Sequence, residues 1–253
     1  MKQKIKNLSS KILNLIFPEN IKCMFCGEEL NQNSYNCTCE ECLNTLPFIS
    51  RACSRCGTQL NEEEYGVCFR CKTKNYNFVE AKAVFEYKDL PLQVVHNLKY
   101  NNKRYLIKYI VKYLVDFYGR WNLFADYVTY VPMFSKKEKE RGFNQAKLMA
   151  ENFAIQTEIP FINCCEKIKD TRSQTNLNSK ERMENIKDCF KFKSEYKKDI
   201  KNKTVLIIDD IVTTGATTSE LSKVLLSAGA SSCYVLSFAH TQLLPMQTET
   251  TNN

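Results

Sequence analysis

The chain has 253 residues, of which 43% are hydrophobic and 25% are charged, the proportions of an ordinary globular protein with a sizeable core. Its formal net charge of +8 is compatible with a polyanionic partner, either a nucleic acid or a phosphorylated small molecule, although a lysine-rich solvated surface gives the same figure. The sequence shows no apolar stretch of membrane-spanning length and no signal peptide. We therefore expect a cytoplasmic protein without stable membrane insertion.

The first segment, 1–19, is predicted to form a basic amphipathic helix. Apolar residues recur at roughly helical spacing from Ile5 to Ile16, with lysines between them. Such a helix could lie on a membrane surface. More often it covers part of the core of its own protein, and we favour that role here.

Cysteines dominate the next segment. The chain contains 13 of them, and nine lie between Cys23 and Cys71. An odd total with clustered C-x-x-C pairs argues against a disulfide scaffold and for metal ligation in a reducing compartment. The segment is also repeated, because CMFCGEELN at Cys23 and CSRCGTQLN at Cys53 start 30 residues apart. A fixed period of this kind indicates a duplicated structural unit.

Each repeat contains two C-x-x-C turns, which together supply the four sulfur ligands that a structural zinc ion prefers. The simplest prediction is a double zinc-ribbon module over 20–75 with one ion per repeat, although a crossed pairing or a single occupied site stays open. Cys37 could also replace Cys39 as a ligand. Four sulfurs leave no coordination position for catalysis, so the zinc is expected to be structural. The candidate ligands are Cys23, Cys26, Cys39, Cys42, Cys53, Cys56, Cys68 and Cys71.

From about residue 77 the pattern changes to strands that alternate with helices. This predicts an α/β domain over 77–242 with a mostly parallel sheet flanked by helices. Strands are predicted at 79–87, 127–131, 205–208 and 233–239, and helices at 89–97, 103–118, 143–155 and 217–227. Residues 166–190 are polar and irregular in pattern, and 243–253 are expected to form a disordered polar tail.

The segment 204–217, TVLIIDDIVTTGAT, combines a buried strand, an acidic pair, a short Thr/Gly loop and the start of a helix. Backbone N–H groups at a helix start attract anions, and small residues let the backbone close around a phosphate. Asp209 and Asp210 are candidate catalytic residues that would hold vicinal ribose hydroxyls and stabilise positive charge on the ring. Phosphate binding is assigned to Thr213, Thr214, Gly215, Ala216 and Thr217.

This segment resembles the signature of type I phosphoribosyltransferases, which bind phosphoribosyl pyrophosphate (PRPP) with Mg²⁺. Other motifs resemble a narrower group, the ComF family of competence-related proteins: RGFNQA at 141–146, HNLKY at 96–100, and T-x-x-Q-x-x-L followed by E-R-x-x-N over 171–185. The preceding cysteine module also fits that family. This chain departs from the family in having KKEKE at 136–140 instead of an Arg-rich run, and Lys169 where Arg is common, so bidentate phosphate binding is lost there.

The resemblance, which extends over roughly residues 12–240, implies a type I phosphoribosyltransferase fold behind a small N-terminal zinc-ribbon module. It implies that residues 171–185 form a mobile hood over the active site. It also implies structural Zn²⁺, Mg²⁺ bound with PRPP, and further basic residues that contact phosphate groups. These candidates are Lys99, Lys136, Lys137, Arg141 and Arg182.

Two functions are compatible with these motifs. The first is a phosphoribosyltransferase that moves the phosphoribosyl group of PRPP to an unidentified nitrogenous acceptor, with catalysis by positioning and electrostatics. The second is a non-catalytic accessory protein of natural competence that uses the same fold to bind a nucleotide or single-stranded DNA. In either case DNA-uptake or recombination proteins, including a helicase, are expected partners.

Overall fold

A computed structural model of the chain describes residues 22–30, 34–171 and 184–242. The predicted N-terminal helix, most of the predicted hood with Arg182, and the predicted tail lie outside the described residues. The chain divides into two compact units between Leu46 and Pro47. This boundary falls between the two cysteine repeats, inside the segment 20–75 that the sequence groups as one module.

The first unit contains the first cysteine repeat and one short helix, α1 (Glu40–Thr45). Cys39 precedes this helix as its N-cap, and its sulfur accepts a hydrogen bond from the backbone N–H of Cys42. Gly27 closes the first C-x-x-C turn with a φ of +83°, a conformation that favours glycine.

The second unit is built on a four-stranded parallel sheet. Its strands are β1 (Glu80–Glu86), β2 (Tyr127–Tyr130), β5 (Thr204–Val212) and β6 (Ser232–His240), in the spatial order β1-β6-β5-β2. A separate antiparallel pair joins β3 (Cys165–Lys167) to β4 (Phe190–Phe192). The inner strand β5 is almost entirely buried, as the continuous apolar run in its sequence predicts.

The second unit also contains the helices α2 (Phe69–Thr73), α3 (Asp89–Tyr100), α4 (Ile107–Tyr118), α5 (Ser135–Arg141), α6 (Gln145–Thr157) and α7 (Ala216–Ala228), with 3-10 turns at Arg104–Leu106 and Ser194–Tyr196. Val205 and Ile207 of β5 share a core with Leu221 and Leu225 of α7. Helices α4, α6 and α7 contact the sheet, and α4 and α6 also pack together. Within the described ranges, no helix has the length and apolar character needed to cross a membrane.

The mostly parallel sheet with flanking helices confirms the predicted fold class. Helix α5 and the β3–β4 pair were not expected from the sequence pattern. No residue of α5 is buried, so its sequence SKKEKER carries no apolar periodicity, and three-residue strands are too short to show alternation. Strand β5 also continues past the predicted 205–208, so the acidic pair lies within the strand rather than after it.

The second cysteine repeat covers the free edge of β1. Phe48 pairs with Phe85 in antiparallel fashion, and their rings lie 4.7 Å apart. Further along the same edge, the N–H of Ala81 donates to the carbonyl of Arg55 at 2.8 Å. An edge strand that is paired in this way is no longer a template for pairing with another chain. The second repeat is therefore part of the same hydrogen-bonded structure as the sheet.

Gly57 sits at the closest approach between the second repeat and β1. Its φ is +77°, and a Cβ at this position would lie 2.5 Å from the carbonyl oxygen of Ala81. Gly66 in the same repeat has a similar φ of +68°, but a Cβ there would meet nothing within 4 Å. Both glycines have a backbone conformation that disfavours other residues, but only at Gly57 would a Cβ also clash with a neighbouring atom.

We expect Gly57→Ala to lower the free energy of unfolding by about 2–3 kcal/mol, since the left-handed φ costs about 1–2 kcal/mol and the clash adds to it. Gly66→Ala is the matched control. It should lower the free energy of unfolding only by the cost of the left-handed φ, about 1–2 kcal/mol. Thermal unfolding of both zinc-loaded variants measures the difference. Equal losses in the two variants would show that the contact with Ala81 does not contribute.

Candidate functional site

A cavity of about 630 Å³ lies at the carboxyl ends of the four parallel strands. Residues directly after each strand contribute to its wall: Tyr87 after β1, Val131 after β2, Thr213 after β5 and Thr241 after β6. In α/β folds this edge of the sheet is the usual ligand site, because the loops and helix starts converge there. The cavity is thus where the topology predicts a site.

The loop after β5 contributes to the wall of the cavity. Thr213, Gly215, Ala216 and Thr217 line the cavity, and α7 begins at Ala216. Thr214 is different, because it is buried and does not line the cavity. The loop therefore presents a helix start and small residues to the cavity, the arrangement that suits an anion.

Glycine is required at position 215. Its φ is +72°, and a Cβ there would lie 2.9 Å from the ring of Tyr76. The hydroxyl of Tyr76 donates to the carbonyl of Thr214 at 3.0 Å. The back of the loop is thus held by a residue that the sequence motif does not include.

The two acidic residues have different environments. Asp209 lines the cavity, whereas Asp210 is buried and accepts hydrogen bonds from Lys99 at 2.7 Å and Gln145 at 3.1 Å. Burial and the neighbouring charge of Asp210 raise the pKa of Asp209 well above its ordinary value. Burial acts in the same direction on Asp210, but the charge and hydrogen bond of Lys99 outweigh it and lower that pKa. Asp210 is therefore the carboxylate that stays charged.

Lys99 and Gln145 are consequently part of the acidic site. Burial by itself would lower the pKa of Lys99. The charge of Asp210 and its hydrogen bond to Lys99 act in the opposite direction, and the pKa of Lys99 is raised. The amide oxygen of Gln145 in turn accepts a hydrogen bond from Arg141 at 2.8 Å. Lys99, predicted as a phosphate ligand, lines the cavity but is engaged by Asp210.

Further cations line the cavity. Lys137 donates to the carbonyl of Thr171 at 2.5 Å and pairs with Asp170 at 3.0 Å. Lys167 donates to the hydroxyl of Thr171 at 2.7 Å, and burial lowers its pKa. Lys137 was predicted, but Lys167 was not. Its only signal in the sequence is its position four residues before the Thr of T-x-x-Q-x-x-L.

Of the other predicted basic residues, Arg141 lines the cavity and Lys136 does not. Lys136 is exposed on α5, because adjacent residues of a helix point in different directions and Lys137 takes the inward one. The sequence also missed an aromatic part of the wall. His96 and Tyr100 both line the cavity from α3, with ring centroids 4.8 Å apart.

The eight candidate metal ligands form two separate clusters, one per repeat, and within each cluster all four sulfurs lie within 4.8 Å of one another. Cys26 and Cys39 have sulfurs 3.6 Å apart, and Cys56 and Cys68 have sulfurs 3.7 Å apart. Four sulfurs about 2.3 Å from a zinc ion at tetrahedral angles would be separated by about this distance. Both clusters fit structural Zn²⁺, and neither repeat exchanges ligands with the other.

Cys37 is not a member of the first cluster. Its sulfur donates to the carbonyl of Lys22 at 3.0 Å, and the cluster is completed by Cys39. Cys37 adopts a φ of +60°, which turns the chain between the two C-x-x-C pairs. The spacing left open whether Cys37 or Cys39 belongs to the first cluster, and the structure places Cys39 there.

The clusters differ in their exposure to solvent. All four cysteines of the second cluster are buried, whereas Cys26 of the first is exposed and Cys39 is partly so. The ammonium group of Lys74 is buried without a hydrogen-bond partner in the described part of the chain. Burial lowers its pKa, while the sulfurs of Cys71 and Cys56 act in the opposite direction. Lys74 therefore lies close enough to the second cluster for the charge of its sulfurs to act on the ammonium group.

We expect the purified protein to contain two zinc ions per chain. Cys37→Ser should keep two, whereas Cys39→Ser should keep one, because loss of one sulfur ligand opens the first cluster. Metal analysis by mass spectrometry of both variants measures this directly. Loss of zinc from Cys37→Ser, but not from Cys39→Ser, would reverse the assignment.

Comparisons with known proteins found the following similarities. The double zinc ribbon domain family matches residues 12–72. Competence protein F of Haemophilus influenzae is 25% identical over 229 residues, which cover 87% of this chain and 97% of that protein. Competence protein ComFC of Streptococcus pneumoniae is 25% identical over 83% of this chain and 96% of its own length. A solved adenine phosphoribosyl transferase from Trypanosoma brucei superposes with a TM-score of 0.36 and 14% identity, over 56% of this chain and 66% of that one.

The parallel sheet, the acidic pair in β5 and the small-residue loop that opens α7 define a phosphoribosyltransferase-like fold, here joined to a double zinc ribbon. The relatives extend over most of the chain and include both the ribbon and the sheet. Over most of its length the chain is similar to proteins named competence protein F and ComFC, in line with the motifs that resemble the ComF family.

Proposed function

We propose that this protein binds PRPP with Mg²⁺ in the cavity and transfers its phosphoribosyl group to a nitrogenous acceptor. The observation that carries this proposal is the convergence of an acidic pair, an anion-binding loop and several cations on one cavity of about 630 Å³. A ligand that carries a phosphate, a pair of hydroxyls and a metal-bound pyrophosphate matches all three features.

Each part of PRPP has a candidate partner. The loop 213–217 would hold the 5′-phosphate, and Asp209 would accept hydrogen bonds from the ribose hydroxyls. Mg²⁺ prefers oxygen ligands, which Asp209 supplies at the cavity wall, and a bound cation would also lower the raised pKa of Asp209. Lys137, Arg141 and Lys167 would neutralise the pyrophosphate. Lys99 has a different role in this arrangement, because it holds Asp210 in place.

In the proposed reaction the bond between C1 of the ribose and the pyrophosphate oxygen breaks as a bond from C1 to the acceptor nitrogen forms. Pyrophosphate leaves with the bonding electrons, and the acceptor loses a proton. Positive charge develops on the ring, so a nearby carboxylate stabilises the transition state more than the ground state. No nucleophilic side chain is needed.

The cellular setting is proposed from the relatives. Two of them are named as competence proteins, and a third, 24% identical in Salmonella typhi, is named DNA utilization protein YhgH. We assign this protein to DNA uptake and transformation, with recombination proteins as partners. Eight thiolate ligands are stable in a reducing compartment, which supports a cytoplasmic location.

We expect Asp209→Asn with Asp210→Asn to weaken Mg²⁺–PRPP binding at least about 100-fold, because the buried negative charge of Asp210 and the proposed metal and ribose contacts of Asp209 are lost. Isothermal titration calorimetry measures binding, and a PRPP-dependent pyrophosphate-release assay measures transfer. Asp126→Asn is the matched control, since Asp126 bonds Thr204 and Lys203 at the opposite end of β5. Unchanged affinity of the double variant would contradict the proposal, and binding without pyrophosphate release would reject transfer alone.

A second candidate function, binding of single-stranded DNA, is favoured by one surface of the second repeat. Tyr65 is 80% exposed and carries the guanidinium of Arg51 5.8 Å from its ring centroid. Phe69 is 51% exposed, with the ammonium of Lys72 at 4.8 Å. Exposed aromatic rings next to cations are typical of surfaces on which unpaired bases stack.

We expect Tyr65→Ala with Phe69→Ala to weaken binding of an oligothymidylate at least about 10-fold, because stacking on two rings is lost. Fluorescence anisotropy at several salt concentrations measures the affinity, which should fall steeply with salt. Phe124→Ala, at a 96% exposed aromatic residue outside the cysteine repeats, is the control. If the Tyr65→Ala, Phe69→Ala double variant and the Phe124→Ala control bind the oligothymidylate equally well, single-stranded DNA does not bind through Tyr65 and Phe69.

A further inference from the structure

The link between the second zinc cluster and the phosphate loop is a feature that the proposed function does not require. Tyr76 lies five residues after Cys71, the last ligand of that cluster, and it is buried. We infer that Tyr76 is a positioning residue, which fixes the phosphate-binding loop against the second zinc ribbon. This inference deepens the proposed function and rests on it.

The geometry of Tyr76 supports this role in two independent ways. Its hydroxyl donates to the carbonyl of Thr214 at 3.0 Å, so the loop backbone is hydrogen-bonded from behind. Its ring occupies the space that a Cβ at Gly215 would need, 2.9 Å from the nearest ring carbon. The tyrosine therefore contacts the loop at two successive residues, on the side away from the cavity.

Neighbouring contacts hold Tyr76 in this position. Its ring stacks on Phe78, with centroids 4.8 Å apart and planes inclined by 16°. The next residue, Asn77, is bonded to Ser219 in the first turns of α7: its backbone N–H donates to the hydroxyl at 3.0 Å, and its side-chain amide donates to the carbonyl at 3.1 Å. The start of α7 and the loop are thus fixed by the same short segment, 76–78.

The second ribbon is in turn built into this core. Its four cysteines belong to the same buried cluster as Tyr76, Phe78 and residues of β5 and α7. Ala81, at the start of β1, bonds to the carbonyl of Arg55 within that ribbon. A segment attached at both ends in this way cannot move without disturbing either the ribbon or the sheet. Zinc in the second cluster would therefore stabilise the loop as well as the ribbon.

The test compares Tyr76→Phe with Tyr118→Phe in the full zinc-loaded chain. Tyr118 is the control, because its hydroxyl also donates to a backbone carbonyl, that of Leu123 at 3.0 Å, and accepts from the N–H of Ala125 at 3.3 Å, but it does not line the cavity. Hydrogen–deuterium exchange of peptides within 210–222 is measured without ligand, so this readout does not depend on PRPP. Loss of one hydrogen bond should speed exchange of the loop amides by about 5-fold in Tyr76→Phe and leave them unchanged in Tyr118→Phe.

A second arm tests the ribbon. Cys56→Ser removes a ligand from the second cluster and should speed exchange in the loop, whereas Cys26→Ser removes one from the first cluster and should not. Unchanged loop exchange in Tyr76→Phe, or an equal effect of the two cysteine variants, would overturn the inference.

Binding of Mg²⁺–PRPP is then titrated for the same proteins. We expect the dissociation constant of Tyr76→Phe to rise about 5-fold while that of Tyr118→Phe stays at the wild-type value. If the wild-type protein does not bind PRPP, the proposed function fails, but a selective change in loop exchange still establishes the link. If it binds PRPP and Tyr76→Phe binds equally well, the positioning role is rejected.

Discussion

Two adjacent carboxylates at the buried end of a parallel strand are the constraint around which the second unit is organised. Charged groups that are withdrawn from water are costly unless other groups compensate them. Lys99 from α3 and Gln145 from α6 both bond to Asp210, so the segments that follow β1 and β2 meet at the end of β5. Asp209 is left facing the cavity with a raised pKa, which makes it the group that a bound cation would affect most. The ion pair of Lys99 with Asp210 therefore distinguishes two adjacent carboxylates, one that is buried and charged and one that faces the cavity.

The two cysteine repeats illustrate how a duplicated sequence can take two structural roles. Both supply four sulfurs at distances that suit one zinc ion. The first repeat forms a unit of its own with a partly exposed cluster, whereas the second shares a core with the sheet and covers the edge of β1. The asymmetry comes from the residues that follow each repeat. After Cys71 come Tyr76 and Phe78, which are buried against the loop 213–217, and the first repeat is followed by the unit boundary at Leu46.

Much of this could be predicted because the relevant signals are local. The apolar run of β5, the acidic pair and the loop at 213–217 are contiguous, so their chemistry is readable from one segment. The zinc clusters follow from two-residue spacing within a turn. Helix α5 could not be predicted, since a helix that buries no residue leaves no periodic pattern. Without a periodic pattern, the sequence cannot distinguish Lys136 from Lys137. The structure shows that Lys137 lines the cavity and Lys136 does not.

The sequence by itself predicted the class of fold, the acidic pair, the small-residue loop at 213–217 and seven of the eight clustered cysteines, because each depends on residues that are neighbours along the chain. Only the tertiary structure decided that Cys39 rather than Cys37 completes the first cluster, that Lys99 serves Asp210, and that Lys167 joins the cavity. It also decided that Tyr76 supports the loop from 138 residues away in sequence. Such contacts depend on how strands and helices pack, and packing brings together residues whose separation along the chain carries no signal.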